Sequence, residues 1–478
     1  MLTAIGETDQ GVDAYRNALT YDARQPAVWN NLAVALCSRR QVAEGLRCFE
    51  QALALTAGFP TAHSNYLLAL NYAPSFSPEA VYKRHRNWAA AHGSNERRAR
   101  WRRGEWRGRR IRVGYVSGSL YAHSTAHFLE PLLAAHDRGS FEIACYSNSR
   151  RADEVTERLR RLCDIWRDIA GLSDDDACAL IDADGIDILV DLSGHTEGNR
   201  LTVFAKKPAP IQAAWLGYPN TTGLDAIDYR LTSAETDPPG AADQLYSEKL
   251  VRLEGSFLCY QPPRGAPAVM KPRSASRGHV TFGCFNNVSK ITDEALHAWA
   301  AILDGTPGSR LALKSRGFES ERLRNETARN FEALGIDPRR IDMLEFQGAP
   351  ADHFALYADV DIMLDTWPYN GTTMICEALW MVVPVITMAG QVHASRVGLS
   401  LLTAVGLPQF VAHSAEDYVR KAAALAADGP QIAELRSALR ERMAHSELMD
   451  GSGFARRVED AYRRMMEAAY RGCANSTY

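Results

Sequence analysis

From Ile111 onward, short apolar runs alternate with helix-length stretches, and this alternation stops and restarts once; no other property of the 478 residues restricts the fold as strongly. Apolar runs bounded by polar turns read as strands buried on both faces. Helices between them imply parallel connections and an α/β fold. The first series places strands at 111–117, 141–147, 186–192 and 211–216, with helices at 123–136, 154–163 and 174–183. Ser173 stands where a cap is needed, and Asp174, Asp175 and Asp176 fall in the first turn, where the helix dipole favours negative charge. After a Pro-, Gly- and Ser-rich crossing at 261–278, strands are expected at 279–285, 310–314, 340–346, 361–364 and 383–388. The tail is helical and includes an amphipathic stretch over 454–470. Two consecutive doubly wound units imply two Rossmann-like lobes with a cleft between them, ligands sitting beyond the carboxyl ends of the strands.

Ahead of the lobes the chain repeats itself. Tyr15, Ala18 and Leu19 recur as Phe49, Ala52 and Leu53, Pro26 as Pro60 and Asn31 as Asn65, always at an offset of 34 residues. That period, with small Ala and a Pro near the helix turn, is the tetratricopeptide pattern. So few units cannot stand alone, and the segment must lean on the rest of the chain or belong to a longer array. The expected domains are repeats at 1–75, a helical connector and Arg-rich linker at 76–110, a first lobe at 111–270 and a second lobe with terminal helices at 271–478. The run from Arg97 to Arg110, with Trp101 and Trp106 among the arginines, reads either as an RNA-binding strip or as a solvated linker. A formal charge of -3 favours the linker, since no global field attracts a phosphate polymer, and nucleic acid is not an expected partner. Nine cysteines without metal spacing read as reduced, buried thiols. Neither a basic-then-apolar leader nor a membrane-length apolar run is visible, so a cytoplasmic protein with no membrane partner is expected.

Polar residues crowd the expected strand ends. The run from Leu364 to Thr373 leads from a strand through a turn with Pro368, Asn370 and Gly371 into a helix opened by Thr372 and Thr373, with Glu377 one turn inside. Exposed N–H groups and the positive helix end suit a diphosphate, and an inner carboxylate suits ribose hydroxyls. The plain alternative is an ordinary strand-turn-helix connection with threonine as its cap. Lys290 at a strand end can neutralise a departing diphosphate without a metal, and His123 at a helix start can hold a proton near neutral pH. Asn286, Asn287 and Lys314 occupy other strand ends of the second series, and His127 and His195 those of the first. Each alone reads more readily as a capping or surface residue; their convergence on one expected cleft reverses that and favours a site. His123 and His127 lie at i, i+4, yet no HExxH glutamate or third ligand accompanies them, so no metal is expected. Asp359 and Asp361 form a DxD at a helix exit, where a structural role is expected. The absence of a G-x-S-x-G elbow disfavours a serine hydrolase.

Longer blocks carry a family resemblance: RVGYVS at 112–117, DILVDLSGHT at 187–196, PAPIQAAWLGYPNTTG at 208–223, TFGCFNNVSK at 281–290, the run 365–380 and HASRVG at 393–398. Together with the repeats they resemble the protein O-GlcNAc transferase family, glycosyltransferase family 41, and its SPINDLY-like members, over nearly the whole chain. The resemblance implies a GT-B fold and an inverting, metal-independent transfer from a nucleotide sugar to Ser or Thr of a protein, without a cofactor. UDP-GlcNAc is the leading donor and GDP-fucose the alternative. By matching motif, His123 and Lys290 are the implied catalytic residues. Asn286, Asn287, Lys314, His353, Tyr369, Gly371, Thr372, Thr373 and Glu377 are the implied donor-binding ones, and His127, His195 and Tyr218 lie on the acceptor side. Two departures stand out. Met374 and Ile375 replace a continued threonine run, and no lysine precedes His353 in the stretch Ala349 to Asp352. A sugar-nucleotide epimerase shares the two-lobe architecture but needs no protein acceptor, and hence no repeats. A repeat adaptor with decayed lobes is the third reading, opposed by His123, Lys290 and Glu377.

Overall fold

The computed structural model describes residues 8–93, 108–267, 277–346, 348 and 350–475. The chain forms two compact units, one of Ser77–Gln261 with Glu447–Tyr478, the other of Met1–Phe76 with Pro262–Ser446.

The first unit is built on seven parallel strands: β1 (Ile111–Ser117), β2 (Phe141–Ser147), β3 (Ile165–Asp168), β4 (Ile188–Asp191), β5 (Ile211–Ala214), β6 (Tyr229–Ser233) and β7 (Lys249–Leu253). Their spatial order is 3-2-1-4-5-6-7. Chain direction across the sheet reverses between β1 and β4, where Val113 pairs with Ile188 and Val116 with Asp191. Every residue of β4 and β5 is buried, as two-sided coverage by helices requires. Beyond these strands the backbones close up: a Cβ on Gly217 would lie 1.8 Å from Leu192 O, so only glycine fits there.

Two helices join this unit that the sequence placed elsewhere. The connector begins with the helix Pro78–His92, whose cap Ser77 accepts from Ala80 N–H at 3.2 Å and which buries Val81, His85 and Trp88. The terminal helix Gly451–Asn475, expected with the second lobe, packs on the first sheet instead. Its Tyr462 hydroxyl lies 3.2 Å from that of Tyr115 on β1. Tyr115 also reaches His136 Nε2 at 2.8 Å, and His136 Nδ1 meets Glu459 of the same terminal helix at 2.9 Å. Partner choice by an amphipathic stripe depends on shape and on this buried polar ladder, which chain order does not encode. Residues 94–107, most of the Arg-rich run, lie outside the described residues. Of its last members, Arg109 pairs through both terminal nitrogens with Asp187 at 2.7 Å, and Arg110 meets Glu142 at 3.2 Å.

The second unit carries six parallel strands: β8 (Thr281–Cys284), β9 (Arg310–Lys314), β10 (Ile341–Leu344), β11 (Ile362–Leu364), β12 (Val385–Met388) and β13 (Val411–Ala412). Their order is 10-9-8-11-12-13, so the reversal falls between β8 and β11, where Phe282 pairs with Ile362. With it are the repeat helices α1 (Thr8–Tyr21), α2 (Pro26–Cys37), α3 (Val42–Leu55) and α4 (Pro60–Leu70). Pro26 and Pro60 each open a helix, where the missing N–H costs nothing. Of the recurring asparagines, Asn65 bonds the neighbour of its counterpart rather than Asn31 itself: its Nδ2 donates to Asn30 Oδ1 at 3.0 Å. Asp361 accepts from Thr281 N–H at 2.8 Å and Asp359 pairs with Arg277 at 2.8 Å, so the DxD ties strand to strand.

The strands β3, β6, β7 and β13 have no counterpart in the sequence reading. β3 (IWRD) and β7 (KLVRL) are sheet edges with polar positions, and β13 has two residues. A short, charged edge strand leaves no period-two signature against the surrounding loops. The helix expected from His123 begins at Ala126, because Ser124 and Thr125 close a turn in which Ala126 N–H donates to His123 O at 3.0 Å. Trp88 is fully buried, so Trp88→Ala is expected to lower stability by about 3–5 kcal/mol, read as an earlier midpoint in urea denaturation.

Candidate functional site

The reversal between β8 and β11 brings the richest set of functional side chains together. β11 runs out into Asp365, whose carboxylate is buried without solvent access. Its Oδ1 accepts from Asn286 Nδ2, beyond β8, at 3.1 Å and from Gly371 N–H at 2.7 Å; its Oδ2 accepts from Thr387 Oγ1 on β12 at 2.7 Å. Burial pushes its pKa up to about 6, and the hydrogen bonds from Thr387 and Gly371 and the nearby Lys290 charge oppose that rise, leaving it ionised at neutral pH. Gly371 must be small: a Cβ there would lie 2.9 Å from Asn286 Oδ1 and 3.1 Å from Asp365 Oδ1. Asn370, wholly buried, donates to Thr366 O at 2.8 Å and so shapes the turn.

On this frame the helix Thr373–Trp380 starts without a side-chain cap from Thr372, and Thr372 and Thr373 at its start are half-buried. Met374 and Ile375 are buried core residues, so the two hydroxyls lost from the threonine run are not lost from the accessible helix start. Lys290 Nζ donates to Asn370 O at 2.8 Å and stands 3.8 Å from the centre of the Tyr369 ring. Burial lowers its pKa to about 8, against the attraction of Asp365. Asn287 caps the turn Val288–Lys290 by accepting from Ser289 N–H at 3.0 Å; its side chain thus shapes the lysine turn.

One turn into that helix, Glu377 Oε2 accepts from His353 Nε2 at 2.9 Å and from Tyr357 OH at 3.1 Å. Among the described residues Oε1 accepts no hydrogen bond, so it is open to a sugar hydroxyl. Lys314, at the end of β9, contacts His353 Nδ1. A charged Lys314 makes Nδ1 the acceptor and Nε2 the donor, which fixes the neutral tautomer bonded to Glu377. The lysine beside His353 thus comes from β9 and not from the residues before the histidine. Burial lowers the Lys314 pKa to about 8, and Glu377 counters it. Phe285 lies 5.0 Å from Tyr357, and the exposed Phe346 carries Arg316 at 3.9 Å, completing a rim of aromatic faces and cations. Tyr357, Phe346 and Arg316 were not singled out from sequence, although Tyr357 follows His353 by four residues, the spacing that puts two side chains on one helical face.

The other unit holds the remaining expected residues. His123 is exposed, in the turn before the helix Ala126–Ala135. Its Nδ1 accepts from Thr125 N–H at 3.2 Å, so the neutral ring carries its hydrogen on Nε2. Loss of hydration lowers its pKa below the usual value, with His127 adding to this. His127 Nδ1 donates to Gln261 O at 3.2 Å. His195 and Tyr218 lie inside the protein. His195 donates to Thr222 O at 2.9 Å and Tyr218 OH donates to His85 Nε2 at 2.7 Å, with Trp88 4.9 Å from the His195 ring. They dock the helix Pro78–His92. Among the described residues no group of three or more His, Cys, Asp or Glu is placed to hold a metal, and no helix is long and apolar enough to cross a membrane.

The family model described as glycosyl transferase family 41 matches residues 95–261 and 273–458. Among curated proteins, a probable UDP-N-acetylglucosamine–peptide N-acetylglucosaminyltransferase SPINDLY of Solanum lycopersicum is 42% identical over 409 residues, 84% of this chain and 44% of that protein. The probable enzyme of the same description named SEC, of Arabidopsis thaliana, is 32% identical over 368 residues, 75% of this chain and 37% of its own. The chain spans less than half the length of these curated relatives. Among solved structures, a mutant of the O-GlcNAc transferase of Thermobaculum terrenum matches with a TM-score of 0.94 at 38% identity, covering 98% of this chain and 89% of that one.

Both lysines of the site carry pKa values lowered to about 8. The affinity of the ligand-free protein for a nucleoside diphosphate is therefore expected to fall as pH rises through about 8, and Lys290→Met to flatten its share of that slope, read by titration calorimetry from pH 7 to 9. Stability moves the opposite way. Between about 8 and the unperturbed value of about 10.4 the unfolded chain binds more protons, so the cost of burying each ammonium is present below pH 8 and relieved as pH rises through that window.

Proposed function

Because this chain belongs to glycosyltransferase family 41, we propose that it is a GT-B protein O-glycosyltransferase, inverting and metal-independent, that moves GlcNAc from UDP-GlcNAc to Ser or Thr hydroxyls of proteins. The observation that carries this reading is the Lys290 ammonium, held by Asn370 O and the Tyr369 ring on the loop that leads into the open helix start at Thr372 and Thr373. That is the charge arrangement a departing diphosphate needs when no metal assists. In the reaction the acceptor hydroxyl forms a bond to the anomeric carbon as the bond to the diphosphate oxygen breaks; the hydroxyl proton passes to water, and the leaving group gains negative charge. Lys290 and the N–H groups of the helix start compensate that charge. Glu377 Oε1 takes the ribose hydroxyls, and His353, fixed by Lys314, borders the base.

His123 serves the acceptor. With Nδ1 occupied by Thr125 N–H, its Nε2 offers a hydrogen rather than a lone pair. This supports orienting the hydroxyl over removing its proton. His195 and Tyr218 act beneath the surface by holding the helix Pro78–His92.

A second donor reading has one observation in its favour. The cation beside His353 comes from Lys314 of β9 rather than from the residue before the histidine, and such a relocated donor suits a different base edge. GDP-fucose is that alternative. Parallel calorimetric titrations with UDP and GDP in the presence of a chelator decide between them. UDP is expected to bind the more tightly. Tighter GDP binding redirects the assignment to O-fucosylation, and binding of neither overturns the transferase reading in favour of an adaptor.

A further inference from the structure

We propose that the helical repeat segment is a working part of the donor site, with Tyr72 and Arg40 as positioning residues for Lys290; this rests on the transferase reading above and assigns the repeats a task besides any acceptor contact. The turn Val288–Lys290 is gripped on both sides of the lysine by the end of α2 and the loop after it. Ser289 Oγ donates to Cys37 O at 2.8 Å. Arg40 Nε donates to Ile291 O at 3.0 Å, and Arg40 Nη2 meets Asp293 at 2.9 Å. Arg40 reaches this position with φ at +64°, a conformation a non-glycine residue adopts only at a cost, here balanced by two contacts with a near-buried guanidinium.

A third contact comes from the residues after α4. Tyr72 stacks on Tyr369, with ring centres 5.4 Å apart and planes 16° from parallel. Tyr369 is the ring against which the Lys290 ammonium rests. A cation on an aromatic face is attracted only while the ring stays in place and water stays out. The stacked Tyr72 does both, since a ring held by a second ring cannot swing toward solvent. The lysine turn is a single three-residue 3-10 turn, held at its start by the Asn287 cap and too short to be stiff by itself. The repeats supply that rigidity. Removing Tyr72 frees Tyr369, admits water to the ammonium and lets it drift from the leaving oxygen. A displacement of this kind costs turnover more than donor binding, because the helix start and Glu377, which also hold the donor, are untouched.

The test compares the parent protein with Tyr72→Ala, Tyr72→Phe and Arg40→Gln in two readouts. The titration of Lys290, followed by carbon NMR of labelled lysine side chains and assigned with Lys290→Met, needs no activity. Its midpoint is expected to move toward the ordinary lysine value in Tyr72→Ala and in Arg40→Gln, and to stay at the parent value in Tyr72→Phe, which keeps the ring. In the glycosyl-transfer assay kcat is expected to fall about 10- to 100-fold in Tyr72→Ala with the donor KM within about twofold, and to be restored in Tyr72→Phe. In a Lys290→Met background Tyr72→Ala is expected to add little, because both changes act through one group. An unchanged Lys290 titration in folded Tyr72→Ala and Arg40→Gln overturns the proposal, as does an equal further loss of kcat in the Lys290→Met background. A shifted titration in a protein with no turnover on either donor leaves the positioning role standing and removes the transferase reading instead.

Discussion

The second unit of this chain depends on one buried carboxylate. Asp365 sits where β11 ends and accepts hydrogen bonds from Asn286 beyond β8, from Gly371 before the helix Thr373–Trp380 and from Thr387 on β12. A buried charge is tolerated only when its lone pairs are filled, and here all three donors come from different parts of the chain. Satisfying Asp365 therefore draws two neighbouring strand ends and the helix start to one point. Everything the site needs is referenced to that point: the backbone carbonyl that receives Lys290, the open N–H groups at Thr372 and Thr373, and Glu377 one turn on. Asp365 also supports the charge of Lys290 against the cost of burial.

This arrangement was partly legible in the chain. The alternation of apolar runs located β1, β2, β4, β5, β8 to β12 and the strand-turn-helix at 361–380, because strands buried on both faces are written as unbroken apolar stretches. Ser173 was legible as a cap, and the structure has it accepting from Asp176 N–H at 3.1 Å. Four strands were not legible: β3, β7 and β13 are sheet edges, and the interior β6 (YRLTS) is polar at Arg230, Thr232 and Ser233 and so writes no apolar run. The allegiance of the helices at 78–92 and 451–475 was not legible either, because an apolar stripe says that a helix packs and not on what. Of the candidate residues, Lys290, Lys314, Thr372, Thr373 and Glu377, read from strand ends and the turn after one, lie in one unit with His353, which only the resemblance had indicated. Asn286 and Asn287 turned out to hold loops. The Lys314 contact with His353 joins residues 39 apart in sequence, a distance that motif spacing cannot read.

The helical repeats illustrate how a marginal element becomes stable and useful at once. Two hairpins bury too little to stand alone. By packing in the unit of the second sheet they gain a partner, and their polar contacts fall on the residues either side of Lys290. Structural dependence and functional coupling are then the same set of contacts. The buried Arg39, paired with Asp9 at 3.1 Å, and Ser320, which donates to Asp9, belong to the same seam.

The central claim is that leaving-group charge on a sugar nucleotide is met by Lys290 without a metal. Mass spectrometry of a Ser- and Thr-containing acceptor peptide, incubated with UDP-GlcNAc and chelator, tests it directly when parent and Lys290→Met are run side by side. The account predicts an N-acetylhexosamine adduct with the parent and a rate about 10²- to 10³-fold lower with Lys290→Met, while UDP still binds the variant. Equal rates from the two proteins, or transfer that stops when the chelator is added, would contradict it.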